Sequence, residues 1–306
     1  VFVRQASLED AELVLNIFNS EIAAVDPEHG LFGLDIAKHI IESPATNSPT
    51  WLFSDDEEAI PFGLANLNPD PIAKEMEAAL AVRAGDARYP VLLDWCLTEA
   101  QRDYPDFKFQ LEINQKHTEN MQHLDDKNFK IVRHYNSLRA PVAENLDDPE
   151  LPEGVVIRSV DLENQKDLTD WHYVQQTSFA DNFGFTPKDF DTWVKRVQED
   201  QFIPSDGIYL LYVDEKPSGF IWTDDMDAFD KRGFISYVGV VKEHRGKGLG
   251  QALLAAALAR FSRKGYDKAE LGVDTQNASN ALRVYEKMGF TKVSTWVLQE
   301  RPVVIN

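Results

Sequence analysis

The sequence predicts an α+β fold, a mixed and mainly antiparallel sheet flanked by helices, made twice in tandem with the first copy degenerate. Three observations predict it: two halves that match at both ends, a hairpin inside each, and a proline-rich join between them. The first half opens on Phe2-Val3-Arg4-Gln5-Ala6, then Glu9-Asp10-Ala11-Glu12-Leu13; the second opens on Val156-Ile157-Arg158-Ser159-Val160, then Lys166-Asp167-Leu168. Each reads as a short strand, an acidic helix start and an amphipathic helix.

The hairpins come next. Trp51-Leu52-Phe53 and Phe62-Gly63-Leu64-Ala65 flank the charged turn Asp55-Asp56-Glu57-Glu58. In the second half, Ile208 to Val213 and Gly219-Phe220-Ile221-Trp222 flank Asp214-Glu215-Lys216-Pro217. Both predict antiparallel pairs. The halves close alike: Leu111-Glu112-Ile113-Asn114 precedes a helix ending at Asn128-Phe129, and Leu271-Gly272-Val273-Asp274 precedes one ending at Gly289-Phe290. Asn128 and Gly289 fall at equivalent places, and both residue types tolerate the left-handed backbone that commonly ends a helix. Between the halves, Pro141, Pro149, Pro152 and the acidic pair Asp147-Asp148 read as extended, solvated chain. The expected domains are residues 1–145 and 155–306.

Composition narrows the function. With 31 Lys and Arg against 51 Asp and Glu, the formal net charge is −20. That excludes nucleic acid as a partner, because phosphate contacts need cations. It suits a cationic small molecule steered to an acidic cleft, or serves solubility alone. Apolar runs such as Leu253 to Leu258 are too short to cross a bilayer, and the first residues lack the order of a signal peptide. The single cysteine, Cys96, forms no intrachain disulfide, and the histidines are scattered. The expectations are a cytoplasmic monomer or homodimer with no membrane partner and no metal.

The chemistry concentrates in one loop. Phe234-Ile235-Ser236-Tyr237-Val238-Gly239-Val240-Val241 reads as a strand, His244-Arg245-Gly246-Lys247-Gly248-Leu249-Gly250 as a glycine loop, and Gln251 to Arg260 as a helix. Strand, glycine loop and helix start make an anion site, because successive amides and the helix N-terminus point at one spot. Gly246, Gly248 and Gly250 leave room for backbone to approach phosphate, and Arg245 and Lys247 add charge. No Lys-Ser or Lys-Thr closes the loop as a nucleoside-triphosphate site requires, and the glycine spacing differs from the dinucleotide fingerprint.

Arg245-x-x-Gly248-x-Gly250 after Val238-Gly239-Val240 resembles the acetyl-CoA signature of the GNAT N-acetyltransferase superfamily. A second signature follows at the family's distance: Leu271-Gly272-Val273, then Asn277, Ala281, Tyr285 and Gly289-Phe290. The pair is more specific than either alone. The resemblance is strong over residues 155–297 and only architectural before them, and a tandem of two such domains resembles the mycothiol synthases. It implies an acyltransferase with acetyl-CoA as cosubstrate and the amine of a small molecule as acceptor, the amine attacking directly in a ternary complex. Cys96 lies in the degenerate half, which argues against an acyl-cysteine. A mycothiol precursor, an amino acid or polyamine, and an aminoglycoside-like antibiotic all remain open as acceptors. The competing class is a non-catalytic acetyl-CoA-binding regulator or scaffold.

Site residues follow from the same resemblance. Arg245, Gly246, Lys247, Gly248, Leu249, Gly250 and Gln251 would hold the pyrophosphate, with the main chains of Val238 and Val240 on the pantetheine arm. Asn277 and Asn280 would touch that arm, although Asn277 also suits a helix cap. Tyr285 would supply a proton to the departing thiolate, the alternative being a buried tyrosine that donates to a carbonyl. The general base stays open. Some relatives carry a glutamate where this chain has Gly272, Asp224, Asp225 and Asp227 are either acceptor-facing or an exposed acidic loop, and the direction of Glu270 is unassigned. Asp181 and Phe183 are expected at the acceptor wall, with His172 a satisfied polar residue. In the first half Arg88 falls opposite Gly248, Pro90 opposite Gly250 and Leu124 opposite Tyr285, so that half is expected to bind no acetyl-CoA and to shape or cover the acceptor site.

Overall fold

Alternation along the strands builds two cores on each sheet. In the computed structural model, which describes residues 1–42, 48–199, 203–276 and 281–304, Leu52 and Leu64 face one core while their neighbours Phe53 and Ala65 face another. Leu210 and Phe220 part from Leu211 and Ile221 in the same way. The period-two pattern of a strand therefore feeds both faces, and each face is covered by helices.

The elements run in the order β1 (Phe2–Gln5), α1 (Ala11–Val25), α2 (Leu34–Glu42), β2 (Thr50–Ser54), β3 (Gly63–Asp70), β4 (Glu75–Val82), α3 (Tyr89–Asp103), β5 (Lys108–Asn114), α4 (Thr118–Asp126) and β6 (Lys130–Pro141). They continue with β7 (Val155–Ser159), α5 (Gln165–Phe179), α6 (Phe190–Glu199), β8 (Ile208–Val213), β9 (Lys216–Asp224), β10 (Arg232–Val240), α7 (Leu249–Arg263), β11 (Lys268–Asp274), α8 (Ala281–Lys287) and β12 (Thr291–Pro302). The architecture is thus mixed α/β with mostly antiparallel strands. Among the described residues no helix is long and apolar enough to cross a membrane.

Two compact units divide the chain, Val1–Asn136 with Ser294–Asn306, and Ser137–Val293. They differ from the sequence halves 1–145 and 155–306 at the last strand of each half. In the first unit the strand order is β1-β2-β3-β4-β5-β12, and β12 pairs antiparallel with β5 from Asn114↔Trp296 to Lys108↔Pro302. Val297 and Val303 are buried in that unit's core. In the second unit the order is β6-β11-β10-β9-β8-β7, and Leu138, Ala140 and Val142 lie buried with α7 and β11. Each unit is therefore completed by a strand from the other half of the sequence.

The repeat extends to single hydrogen bonds. Arg4 grips Asp10 at 2.6 and 2.8 Å while Ser7 N donates to the same carboxylate; Arg158 grips Asp167 at 2.7 and 2.8 Å while Asp161 N does likewise. At the other end Phe129 N donates to Leu124 O and Phe290 N to Tyr285 O, with Asn128 at φ 65° and Gly289 at φ 85°. Left-handed closure at a matching position explains why asparagine and glycine alternate there.

Candidate active site

The site begins where the second sheet opens. β10 and β11 pair in parallel from Arg232↔Lys268 to Ile235↔Leu271, and both strands then run on, to Val240 and Asp274. Ser236 is the first β10 residue beyond the last rung, and it sits in a bulge against β9. From there to Val240 the β11-facing backbone edge of β10, which includes Val238, is free of its neighbour. Such an edge presents unpaired N–H and C=O groups to an extended ligand.

The glycine loop follows. Gly246 and Gly248 have φ 77° and 80°, the left-handed region that excludes most side chains, and Gly248 is the N-cap of α7. Ala252 N donates back to Gly248 O, which leaves the first-turn amides of Leu249, Gly250 and Gln251 pointing out of the helix. A Cβ added at Gly246 or Gly250 would meet nothing within 4 Å, so the surface above them has room for a phosphate chain. Leu249 contributes only its amide, because its side chain is in the core. Lys247 is exposed. Arg245 is tied down: Nε donates to Val240 O and an Nη to Ser178 O, both at 2.9 Å, so it braces the loop against the end of α5.

Tyr285 lies on α8 in the same apolar cluster as Val238, Val240 and Val273, with its ring edge-on to Phe290 at 6.2 Å. Burial alone pushes its hydroxyl up to about 12, which keeps the phenol protonated near neutral pH. Asn277 and Asn280 lie outside the described residues.

The acidic residues separate by partner. Asp225 is clamped by Arg260 at 2.8 Å through both carboxylate oxygens; burial pushes it up, but Arg260 and Lys264 more than offset that and hold it below the usual range. Asp227 pairs with the fully buried Arg232 at 3.1 Å. Glu270 is bound by Arg139 at 2.9 Å and Arg232 at 3.5 Å, so it is a structural ion pair. Asp224 alone among these forms no described ion pair, and no cation contributes to its pKa shift. It is buried, accepts from Ser236 Oγ at 2.5 Å and from Met226 N at 3.2 Å, and burial raises it to about 6 against those two bonds.

Beside Asp224 the strands present an aromatic face. Trp222 packs on Tyr237 at 5.3 Å and on Trp171 at 5.5 Å, while Phe179, from the end of α5, meets Tyr237 edge-on at 5.7 Å. Trp222 Nε1 is buried without a hydrogen-bond partner. Tyr237 is exposed, the rim of this surface. Asp181 and Phe183 are exposed in the turn after α5; the ring that reaches Tyr237 is Phe179. His172 Nε2 lies 2.8 Å from Lys188 O and its ring packs on Phe190 and Trp193. Phe179 ends α5, Trp222 lies on β9 and Tyr237 on β10, so their meeting is set by tertiary packing, and sequence reasoning missed Trp222 and Tyr237.

The first unit repeats the opening without the cradle. β4 and β5 pair in parallel from Glu75↔Lys108 to Ala78↔Leu111 and run on to Val82 and Asn114. Its helix α3 is 15 residues long, as is α7, with Arg88 at the N-cap and Pro90 in the first turn. Arg88 is held by Asp86 at 2.6 Å and Asp55 at 2.7 Å and stacks over Phe62 at 3.6 Å.

A parted parallel strand pair, a glycine-capped helix N-terminus and a buried phenol occur together in the second unit. Residues 168–290 match the model of the acetyltransferase (GNAT) family, so the second unit carries a domain of that family. The chain is 35% identical over 168 residues to a mycothiol acetyltransferase of Thermobispora bispora, covering 54% of this chain and 56% of that one. It is 36% identical over 156 residues to the mycothiol acetyltransferase of Streptomyces griseus subsp. griseus, covering 50% and 48%. The match thus spans about half the length of these relatives. Among solved structures, a GCN5-related N-acetyltransferase from Sphaerobacter thermophilus superimposes with a TM-score of 0.81 at 18% identity, over 100% of this chain and 96% of that one. A tandem GNAT protein from the clavulanic acid biosynthesis pathway gives 0.79 at 13% identity, over 100% and 99%. At such identities the likeness is one of fold: two GNAT-type units in tandem.

Proposed function

We propose that the chain transfers the acetyl group of acetyl-CoA to the amine of a small molecule, with both substrates bound together in the second unit. The observation that carries this reading is the free edge of β10: its first residue, Ser236, bonds the buried carboxylate of Asp224, Val238 and Val240 share an apolar cluster with the buried phenol of Tyr285, and the first-turn amides of α7 follow the strand. Acetyl-CoA supplies an activated thioester. The amides of Gly246 to Gln251 hold its pyrophosphate, and the backbone of Val238 and Val240 aligns its arm.

Asp224 takes the proton from the attacking amine, directly or through Ser236 Oγ. A base must be ionised at working pH yet still able to accept a proton, and a carboxylate near 6 meets that condition. Tyr285 donates to the sulfur as the thiolate leaves. Cys96 is fully buried, and burial pushes its thiol well up, which favours direct transfer over an acyl-cysteine. The aromatic face of Phe179, Trp222 and Tyr237 suits an acceptor with an apolar flank, and Trp222 Nε1 offers it a hydrogen bond. The relatives' name makes the amine precursor of mycothiol the first acceptor to assay.

The first unit is proposed to bind no acetyl-CoA, since Pro90 has no amide to offer and Arg88 is already neutralised by two carboxylates. Thiol release, followed with a panel of primary amines, tests the activity, and calorimetry with acetyl-CoA tests the stoichiometry. Acetyl-CoA binding without thiol release from any amine would mark the chain as a binding protein. Two moles bound per chain would reject the vacancy of the first unit.

A further inference from the structure

The first unit keeps the opening between its parallel strands and puts different chemistry in it. A cavity of about 270 Å³ lies there, walled by the end of β4 at Val82, the turn Arg83 to Ala87, the start of α4 and the side of α1. Two polar groups on its wall have no hydrogen-bond partner among the described residues. Glu21, from α1, has a largely buried side chain, and nothing described donates a hydrogen bond to it. His117 Nε2, just before α4, is buried without a hydrogen-bond partner, and it stands 3.7 Å from Glu21 Oε1. That separation is too long for the two to bond each other. It is short enough for one donor, placed about 2.8 Å from both, to bridge them.

Two cations, Lys116 and Arg83, also line the cavity, with hydrogen bonds directed to backbone carbonyls rather than to Glu21. Lys116 Nζ donates to Val25 O. Arg83 Nε donates to Pro61 O at 2.8 Å. Asp86 is gripped by Arg88. Glu119 is a second carboxylate on the wall, and burial raises the hydroxyl of Tyr89, which is within electrostatic reach of Glu21, so it stays neutral. The cavity thus offers a buried carboxyl and an imidazole acceptor, and among the described residues no cation hydrogen-bonds either of them. It is also small, with space for about ten heavy atoms.

We propose that this cavity is a binding site for a small primary ammonium ion, whose N–H groups bridge Glu21 and His117. A cation there supplies the counter-charge that lets the buried carboxyl ionise. Burial holds Glu21 up at about 8 in the free protein, so at pH 7 the incoming cation displaces its proton and about one proton leaves per ligand bound. The site is separate from the acceptor cleft and stands whether or not the second unit transfers acetyl groups.

Calorimetry on the full chain with butylammonium chloride, sodium acetate and inorganic phosphate tests it, run at pH 7 in two buffers of different ionisation enthalpy. Butylammonium should bind and the anions should not, with a buffer-dependent heat that reports about one released proton. Glu21→Gln should weaken that component at least tenfold and abolish the proton release while leaving thiol release in the second unit unchanged. Ala24→Leu, which narrows the cavity while keeping the Glu21 carboxyl, should weaken binding at an unchanged melting temperature. An amine site insensitive to both substitutions, binding without proton release, or preferential binding of acetate or phosphate would each overturn the proposal.

Discussion

At the residue scale two side chains carry the proton movements, and each makes its own forecast. Tyr285→Phe removes one oxygen from a buried ring that stays packed on Phe290. Turnover should fall on the order of 10²-fold while acetyl-CoA affinity changes little, because a proton donor acts only as the thiolate forms. Stopped-flow thiol release and equilibrium binding of acetyl-CoA, read side by side, check it. Asp224 predicts a pH profile. It is a base only when ionised, so kcat/KM should rise with pH through about 6 and level off above it. Ser236 donates to this carboxylate and lowers it, so Ser236→Ala should move the midpoint upward, and Asp224→Asn should remove the limb and most of the rate. A profile that keeps its midpoint in both variants would assign the base elsewhere. Sequence alone left Asp224, Asp225, Asp227 and Glu270 undivided, because what separates them is not residue type. Three of them meet arginines, and two of these arginines come from distant positions, Arg260 for Asp225 and Arg139 for Glu270. Likewise Phe183 and Phe179 look equivalent on a helix end, and only the packing of Tyr237 chooses Phe179.

At the scale of elements, the glycine loop and its counterpart were the most legible feature, because backbone requirements leave traces that side-chain drift does not erase. Arg88 and Gly248 both prove to be N-caps of 15-residue helices. Asn128 and Gly289 both prove to be left-handed. A cap in the left-handed region at φ 80° has a direct consequence. Gly248→Ala should cost roughly 1–2 kcal/mol of stability by forcing a Cβ into that conformation. The fold has no atom to clash with the new methyl, since the nearest, Gln251 Oε1, is 3.9 Å away. The penalty is therefore conformational, and the loop can relax it only by tilting its amides away from the anion. Acetyl-CoA affinity should drop about tenfold or more, whereas Gly250→Ala, whose φ is ordinary, should lose affinity with no loss of melting temperature. Thermal melts paired with binding isotherms distinguish the two. Equal losses of stability in both variants would mean that the left-handed backbone is not what makes Gly248 a glycine.

At the scale of the whole molecule, the sequence disclosed two copies of one fold but not their boundaries. Lys130–Pro141 and Thr291–Pro302 are both 12-residue strands that follow the same helix closure, so either would fit the edge of either sheet by pattern alone. The structure sends β12 to β5 and the end of β6 to β11. A chain ended at residue 293 should therefore damage the first unit, not the second. It loses the strand that pairs with all of β5, and it loses Val297 and Val303 from the core around Phe109 and Phe129. Burial of two such side chains is worth roughly 1.5–3 kcal/mol each, a sum comparable to the whole stability of a small domain. The second unit, Ser137–Val293, keeps every residue of its own core. Hydrogen exchange followed by mass spectrometry separates the two outcomes: amides of β4 and β5 should lose protection, while those of β9, β10 and α7 keep it. The complementary fragment, residues 155–306, should fail in the opposite sense, since it lacks Leu138, Ala140 and Val142, which cover α7 and β11. Protection of β5 that survived the loss of residues 294–306 would show that the unit closes without the exchanged strand.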